Sequence, residues 1–151
     1  MLAPLFFLAH SFSPARIDLV DVIPFAADVS AVISVEEPLP FAGLDELARR
    51  VATGRLLIVW GIYEAGGREN ALGDGGKSCG VLQENPYYAG VTCTALRSDR
   101  RLALAKGLEL MRFAAAQCGS VAGGLRAYAG GTCTARAALV ALRCSRAGVS
   151  C

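Results

Sequence analysis

Leu56-Leu57-Ile58-Val59-Trp60-Gly61-Ile62-Tyr63 is an unbroken apolar run that ends on Glu64 and then Ala65-Gly66-Gly67. Just upstream, Leu44, Leu47, Ala48 and Val51 recur at helical spacing, and Ile58, Val59 and Ile62 continue the same face. A segment apolar on all sides reads as a central, buried helix; a buried strand is its rival, because periodicity alone does not separate the two. Glu64 stands where that element stops. A glycine-rich loop without periodicity follows, Ala71-Leu72-Gly73-Asp74-Gly75-Gly76-Lys77-Ser78-Cys79-Gly80, with several positions open to positive φ.

Downstream, the pattern is again helical. A second helix is expected from about Asp99 to Gln117, with Ser98 as N-cap, Asp99 in the favourable first turn and Leu104, Leu108, Met111 and Ala115 as its core stripe. Gly119 is a natural stop. Two shorter helices follow, at about 121–128 and 135–144, separated by Gly130-Gly131 and capped by Thr134. Residues 1–43 differ. Pro4, Pro14, Pro24, Pro38 and Pro40 break them up and Asp18, Asp21 and Asp28 interrupt the apolar stretches, so they read as an irregular leader of short strands or turns. The chain therefore divides into a leader, 1–43, and a mainly α domain, 44–151.

With 151 residues, 54% of them apolar and 19% charged, the chain is one domain's worth and able to bury roughly two thirds of its unfolded surface. The net charge is +2 but unevenly spread: residues 1–96 carry six Lys+Arg against eleven Asp+Glu, and residues 97–151 carry nine against two. The arginines at 97, 100, 101, 112, 126, 136, 143 and 146 read first as solvated helix faces, and second as a surface for an anionic polymer. No interleaved aromatics mark a base-stacking surface, so nucleic acid is not expected. The longest apolar stretches fall far short of the ~20 residues that span a bilayer. Leu2 to Ala9 has the look of a signal h-region, without a basic n-region before it.

Six cysteines, at 79, 93, 118, 133, 144 and 151, all lie in the second half, with no C-x-x-C and a single distant histidine, His10. That spacing argues against a metal site and for disulfides in an oxidising compartment, periplasm or exterior, with free thiols in a cytoplasmic protein as the competing reading. Sequential pairing is the simplest of fifteen connectivities: Cys79–Cys93, Cys118–Cys133 and Cys144–Cys151.

Burial disfavours the charged form of a carboxyl group, so the end of an apolar run is a place to hold a proton for donation to a leaving group. The surroundings sharpen this. Glu64, Ala71, Gly76 and Gly80-Val81-Leu82-Gln83, followed by Ala127-Tyr128-Ala129-Gly130-Gly131, resemble in order the motifs of the lytic transglycosylase and goose-type lysozyme superfamily. The departures are Ala65 where the family has Ser, one extra loop residue, and Ala129 in place of Asn. The resemblance implies a lysozyme-like domain with a minimal sheet that cleaves the β-1,4 MurNAc–GlcNAc bond of peptidoglycan, without a cofactor, with Glu64 as general acid and base. A lytic transglycosylase needs only this carboxylate and leaves 1,6-anhydro ends; a hydrolytic muramidase needs a second, for which Asp74 is the candidate and Glu69 a weaker one. By matching position, Gln83 would contact the glycan or brace the loop, and Tyr128 would sit beside Glu64. Tyr87 and Tyr88 would form a sugar-stacking wall. A non-catalytic wall-binding or structural module of the same fold is the alternative, and a disulfide-rich secreted domain of unrelated activity a third. Bacterial and phage-borne settings both suit the resemblance.

Overall fold

A computed structural model describes the backbone from residue 19 and the side chains from residue 22, each to residue 151. Leu2–Ala9 and His10 lie outside the described residues. The protein is mainly helical, with one two-stranded sheet among the described residues and three disulfides.

The central element is a helix, α2 (Glu46–Ala65), not a strand. Asp45 caps it by accepting from the Ala48 N–H, and Gly66 ends it in the left-handed region at φ 63°. Leu56, Leu57, Ile58, Val59 and Trp60 are fully buried. Leu44 and Leu47, expected on its core face, are exposed instead, because the covering elements begin to pack only one turn later, at Ala52.

Residues 1–43 are not irregular throughout. Leu19–Val35 is a helix, α1, with Pro24 inside it. Val22, Phe25, Ala26, Val29, Val32 and Ile33 recur three and four residues apart and are all buried. Burying such a stripe is worth more than the single N–H donor that Pro24 removes near the helix start. The end of the Phe25 ring packs against Gly61 of α2, where a Cβ would fall 2.5 Å from Cζ. Asp28, which looked like an interruption, binds Arg100 at 2.8 Å and Arg101 at 2.7 Å. Arg50 of α2 donates to the carbonyls of Ile33 and Glu36, and Thr53 accepts from the Leu39 N–H at 2.9 Å. The segment from Val22 to Phe41 thus belongs to the same core as the rest.

After α2 the glycine-rich loop folds into a small antiparallel hairpin, β1 (Leu72–Gly73) and β2 (Ser78–Cys79), with Leu72 opposite Cys79. Two short helices, α3 (Pro86–Ala89) and α4 (Cys93–Ser98), lead to α5 (Arg100–Cys118). Leu104, Leu108, Met111 and Ala115 are its buried stripe, and Gly119 at φ 72° stops it. Its N-cap is Asp99, which accepts from the Leu102 N–H; Ser98 belongs to the preceding helix, which the sequence pattern did not mark. α6 (Val121–Gly130) packs along α5, and α7 (Ala137–Ala147) packs on α2 and α6. α7 starts from Arg136 in the left-handed region without a side-chain cap, so Thr134 is not its cap.

The cysteines pair as sequential neighbours: Cys79–Cys93, Cys118–Cys133 and Cys144–Cys151. Closing loops of 14 and 15 residues contributes about 3 kcal/mol each through the unfolded chain. Among the described residues, no helix is long and apolar enough to cross a membrane.

Candidate functional site

A groove of about 930 Å³ opens between the end of α2, the hairpin, α5 and α6. Glu64 enters it from the last turn of α2, Asp74 and Ser78 from the hairpin, and Leu82, Gln83 and Glu84 from the turn after β2. Tyr88 of α3, Lys106, Glu109 and Phe113 of α5, and Tyr128 of α6 complete its walls. Glu64, Asp74, Gln83, Tyr88 and Tyr128, singled out from the sequence, therefore share one cleft. Tyr87 is exposed beside Tyr88, the two rings meeting edge to face at 5.1 Å, but it does not line the groove.

The surroundings of Glu64 are not the apolar wall that its sequence neighbours suggest. Leu56 to Trp60 face the core, whereas the Glu64 side chain leaves the helix end and is 28% exposed. Its Oε1 accepts a 2.5 Å bond from Arg143 Nη1 of α7. Arg143 itself is buried, not part of a solvated helix face, and its guanidinium lies 4.3 Å from the centre of the Trp60 ring. A cation over an indole face is attracted by the ring's quadrupole. Trp60 thus holds Arg143, and Arg143 orients one oxygen of Glu64.

Tyr128 is half-buried and donates its hydroxyl to the Leu82 carbonyl at 3.1 Å, its ring edge-on to Trp60 at 5.9 Å. Burial pushes its phenol well above the usual 10, with the nearby Glu84 and Glu64 carboxyls adding to the rise and Arg143 opposing it. It therefore serves as a neutral hydroxyl. Gln83 sits at φ 57° and donates Nε2 to the Gly80 carbonyl at 2.9 Å, bracing the turn. Asp74, at φ 50°, accepts from the Ser78 hydroxyl at 2.5 Å across the hairpin turn.

The carboxyl with the environment anticipated for Glu64 is Glu84. It is 1% exposed, and neither carboxyl oxygen has a hydrogen-bond partner. Burial raises it from 4.5 to about 8, against a smaller lowering by its own backbone N–H. Sequence reading missed it, because Asn85-Pro86 after it signals an exposed turn. Its slot is made by glycines: a Cβ on Gly107 would lie 2.8 Å from Oε1, and one on Gly80 3.3 Å from Oε2. Phe113 was missed too; its one signal was an aromatic ring off the core stripe of α5. Among the described residues no group of three or more His, Cys, Asp or Glu is placed to hold a metal ion.

Against known proteins, the chain matches no family model, no curated protein and no solved structure.

Proposed function

We propose that the protein cleaves the glycan strands of peptidoglycan, with Glu64 as acid and base, on a lysozyme-like domain. One observation carries the reading: Glu64, at the end of the central helix, opens into a groove of about 930 Å³ shared with Tyr128 and Gln83, the residues that the motif resemblance assigns to the same site. A groove suits a linear polymer, and the exposed rings of Tyr88 and Phe113 on its walls suit the flat faces of sugars.

In this reading Arg143 fixes Oε1 and leaves Oε2 of Glu64 for the substrate. Glu64 protonates the glycosidic oxygen as the bond from C1 to that oxygen breaks. The resulting carboxylate, its charge balanced by Arg143, then takes the proton of the sugar's 6-hydroxyl as O6 bonds to C1. The acid is regenerated and the product is a 1,6-anhydro end. The transglycosylase form is favoured over the hydrolytic muramidase because one oxygen of Asp74, the candidate second carboxylate, is engaged by Ser78. The setting implied is periplasmic or extracellular, in keeping with three disulfides.

The test is clearance of a purified cell-wall suspension by wild type and Glu64→Gln, with mass analysis of the released muropeptides. Wild-type clearance that the variant loses while keeping its fold supports the reading, and anhydro products, one water lighter than reducing ends, identify the chemistry. Equal clearance by both proteins refutes it. The ion pair to Arg143, with Ala65 and Ala129 at usually polar positions, favours as a second reading a wall-binding module without turnover. Co-sedimentation with insoluble peptidoglycan, without release of soluble fragments, would identify that outcome.

A further inference from the structure

The backbone of Glu84 is clamped to β2. Its N–H donates to the Cys79 carbonyl at 3.0 Å and its carbonyl accepts from the Cys79 N–H at 2.9 Å, while Cys79 is itself bonded to Cys93. From that fixed point the side chain enters the slot between Gly80 and Gly107. α5 passes so close that a Cβ on Gly107 would meet Leu82 Cδ1 at 2.4 Å as well as Glu84 Oε1 at 2.8 Å. Leu82 and Glu84 are therefore seated together on α5. The Leu82 carbonyl, in turn, accepts the Tyr128 hydroxyl, and Tyr128 packs on Trp60 beneath Arg143.

We propose that Glu84 is a positioning residue for the groove: its side chain seats the Gly80–Gln83 turn on α5 and, through Leu82, holds Tyr128 beside Glu64. The arrangement requires the protonated form. Neither oxygen has a protein partner, and at 1% exposure the ionised form is strongly disfavoured in the slot; once ionised, the side chain moves toward the groove it borders and takes the turn with it. The other charged groups around the groove have partners of their own: Lys106 with Glu109 on α5, Asp74 with Ser78 in the hairpin, and Glu64 of α2 with Arg143 of α7. Two tyrosines also line the groove, Tyr88 of α3, exposed, and Tyr128 of α6, which burial holds above its usual range. The floor is therefore closed at neutral pH and opens as the pH passes about 8. The catalytic consequence rests on the proposed function; the conformational one does not.

Trp60 is the chain's single tryptophan and reports on Tyr128 directly. Its emission in the full chain, followed from about pH 6 to 9.5, is expected to change reversibly with a midpoint near 8. Glu84→Gln, the isosteric amide without a titratable proton, is expected to stay flat. Should the amide fail to fold, Glu84→Met, similar in length and also without charge, provides the same comparison. No transition in wild type, or the same transition in the variant, overturns the proposal. With peptidoglycan as substrate, the alkaline limb of turnover should move upward by more than about one pH unit in the variant. Turnover with identical pH profiles sinks the inference and spares the function; a Glu84-dependent emission change without turnover does the reverse.

Discussion

Replacing Glu84 by Gln should change how stability depends on pH, and the size of the effect follows from the slot it occupies. The carboxyl ordinarily releases its proton near 4.5, and in the folded chain burial holds it to about 8. Between those values the unfolded chain has lost a proton that the folded chain still carries. Raising the pH therefore favours unfolding, at about 1.4 kcal/mol per pH unit. The stability contribution is complete below pH 4.5, falls by roughly 3 kcal/mol by pH 7 and by roughly 5 kcal/mol once the pH exceeds 8, where the loss levels off. Against a total of about 5–15 kcal/mol for a domain, this is a large fraction. Urea unfolding of wild type and Glu84→Gln at intervals from about pH 4.5 to 9 isolates it, because every other titrating group is common to both. The gap between the two stability curves should shift by several kcal/mol in favour of the amide as the pH rises. A gap constant to within about 1 kcal/mol would refute the argument that burial in this slot holds the proton.

Arg143→Met keeps length and apolar contact with Trp60 but removes the ion pair, and should lower stability by about 2 kcal/mol in thermal unfolding. On the proposed function it should also depress clearance of cell-wall suspensions about tenfold, since Glu64 loses the group that orients it. On the proposed function, Phe113→Ala should raise KM for glycan strands about fivefold with kcat little changed, as expected for a wall that binds without touching the reacting bond. The double variant Cys118→Ser with Cys133→Ser should cost about 3 kcal/mol in urea unfolding, and reduction of wild type should add to that loss by opening the other two bridges.

The long helices were legible because their signals are local. The α2 run and the 104, 108, 111, 115 stripe of α5 each lie within one window, as does the Gly119 stop. The disulfides were legible for a related reason: each closes a loop of 15 residues or fewer between neighbours in sequence. α1 was hidden because Pro24 and Asp28 looked like breaks, and only the arginines at 100 and 101, some 70 residues away, explain Asp28. The site shows the same division. Glu64, Gln83 and Tyr128 were placed by motif order, yet the partner of Glu64 comes from α7, and the slot of Glu84 is closed by Gly107 of α5, 23 residues further along the chain. No local pattern carries that information.

Arg143 lies 79 residues beyond Glu64 along the chain. During synthesis, residue 64 emerges and its helix can form long before the guanidinium that aims its carboxylate exists. The groove is thus left unarmed until translation reaches the last helix, and any polypeptide released early, ending ahead of residue 143, carries Glu64 without its guide. If the proposed function holds, such truncated chains should fail to clear a cell-wall suspension even where their earlier helices form.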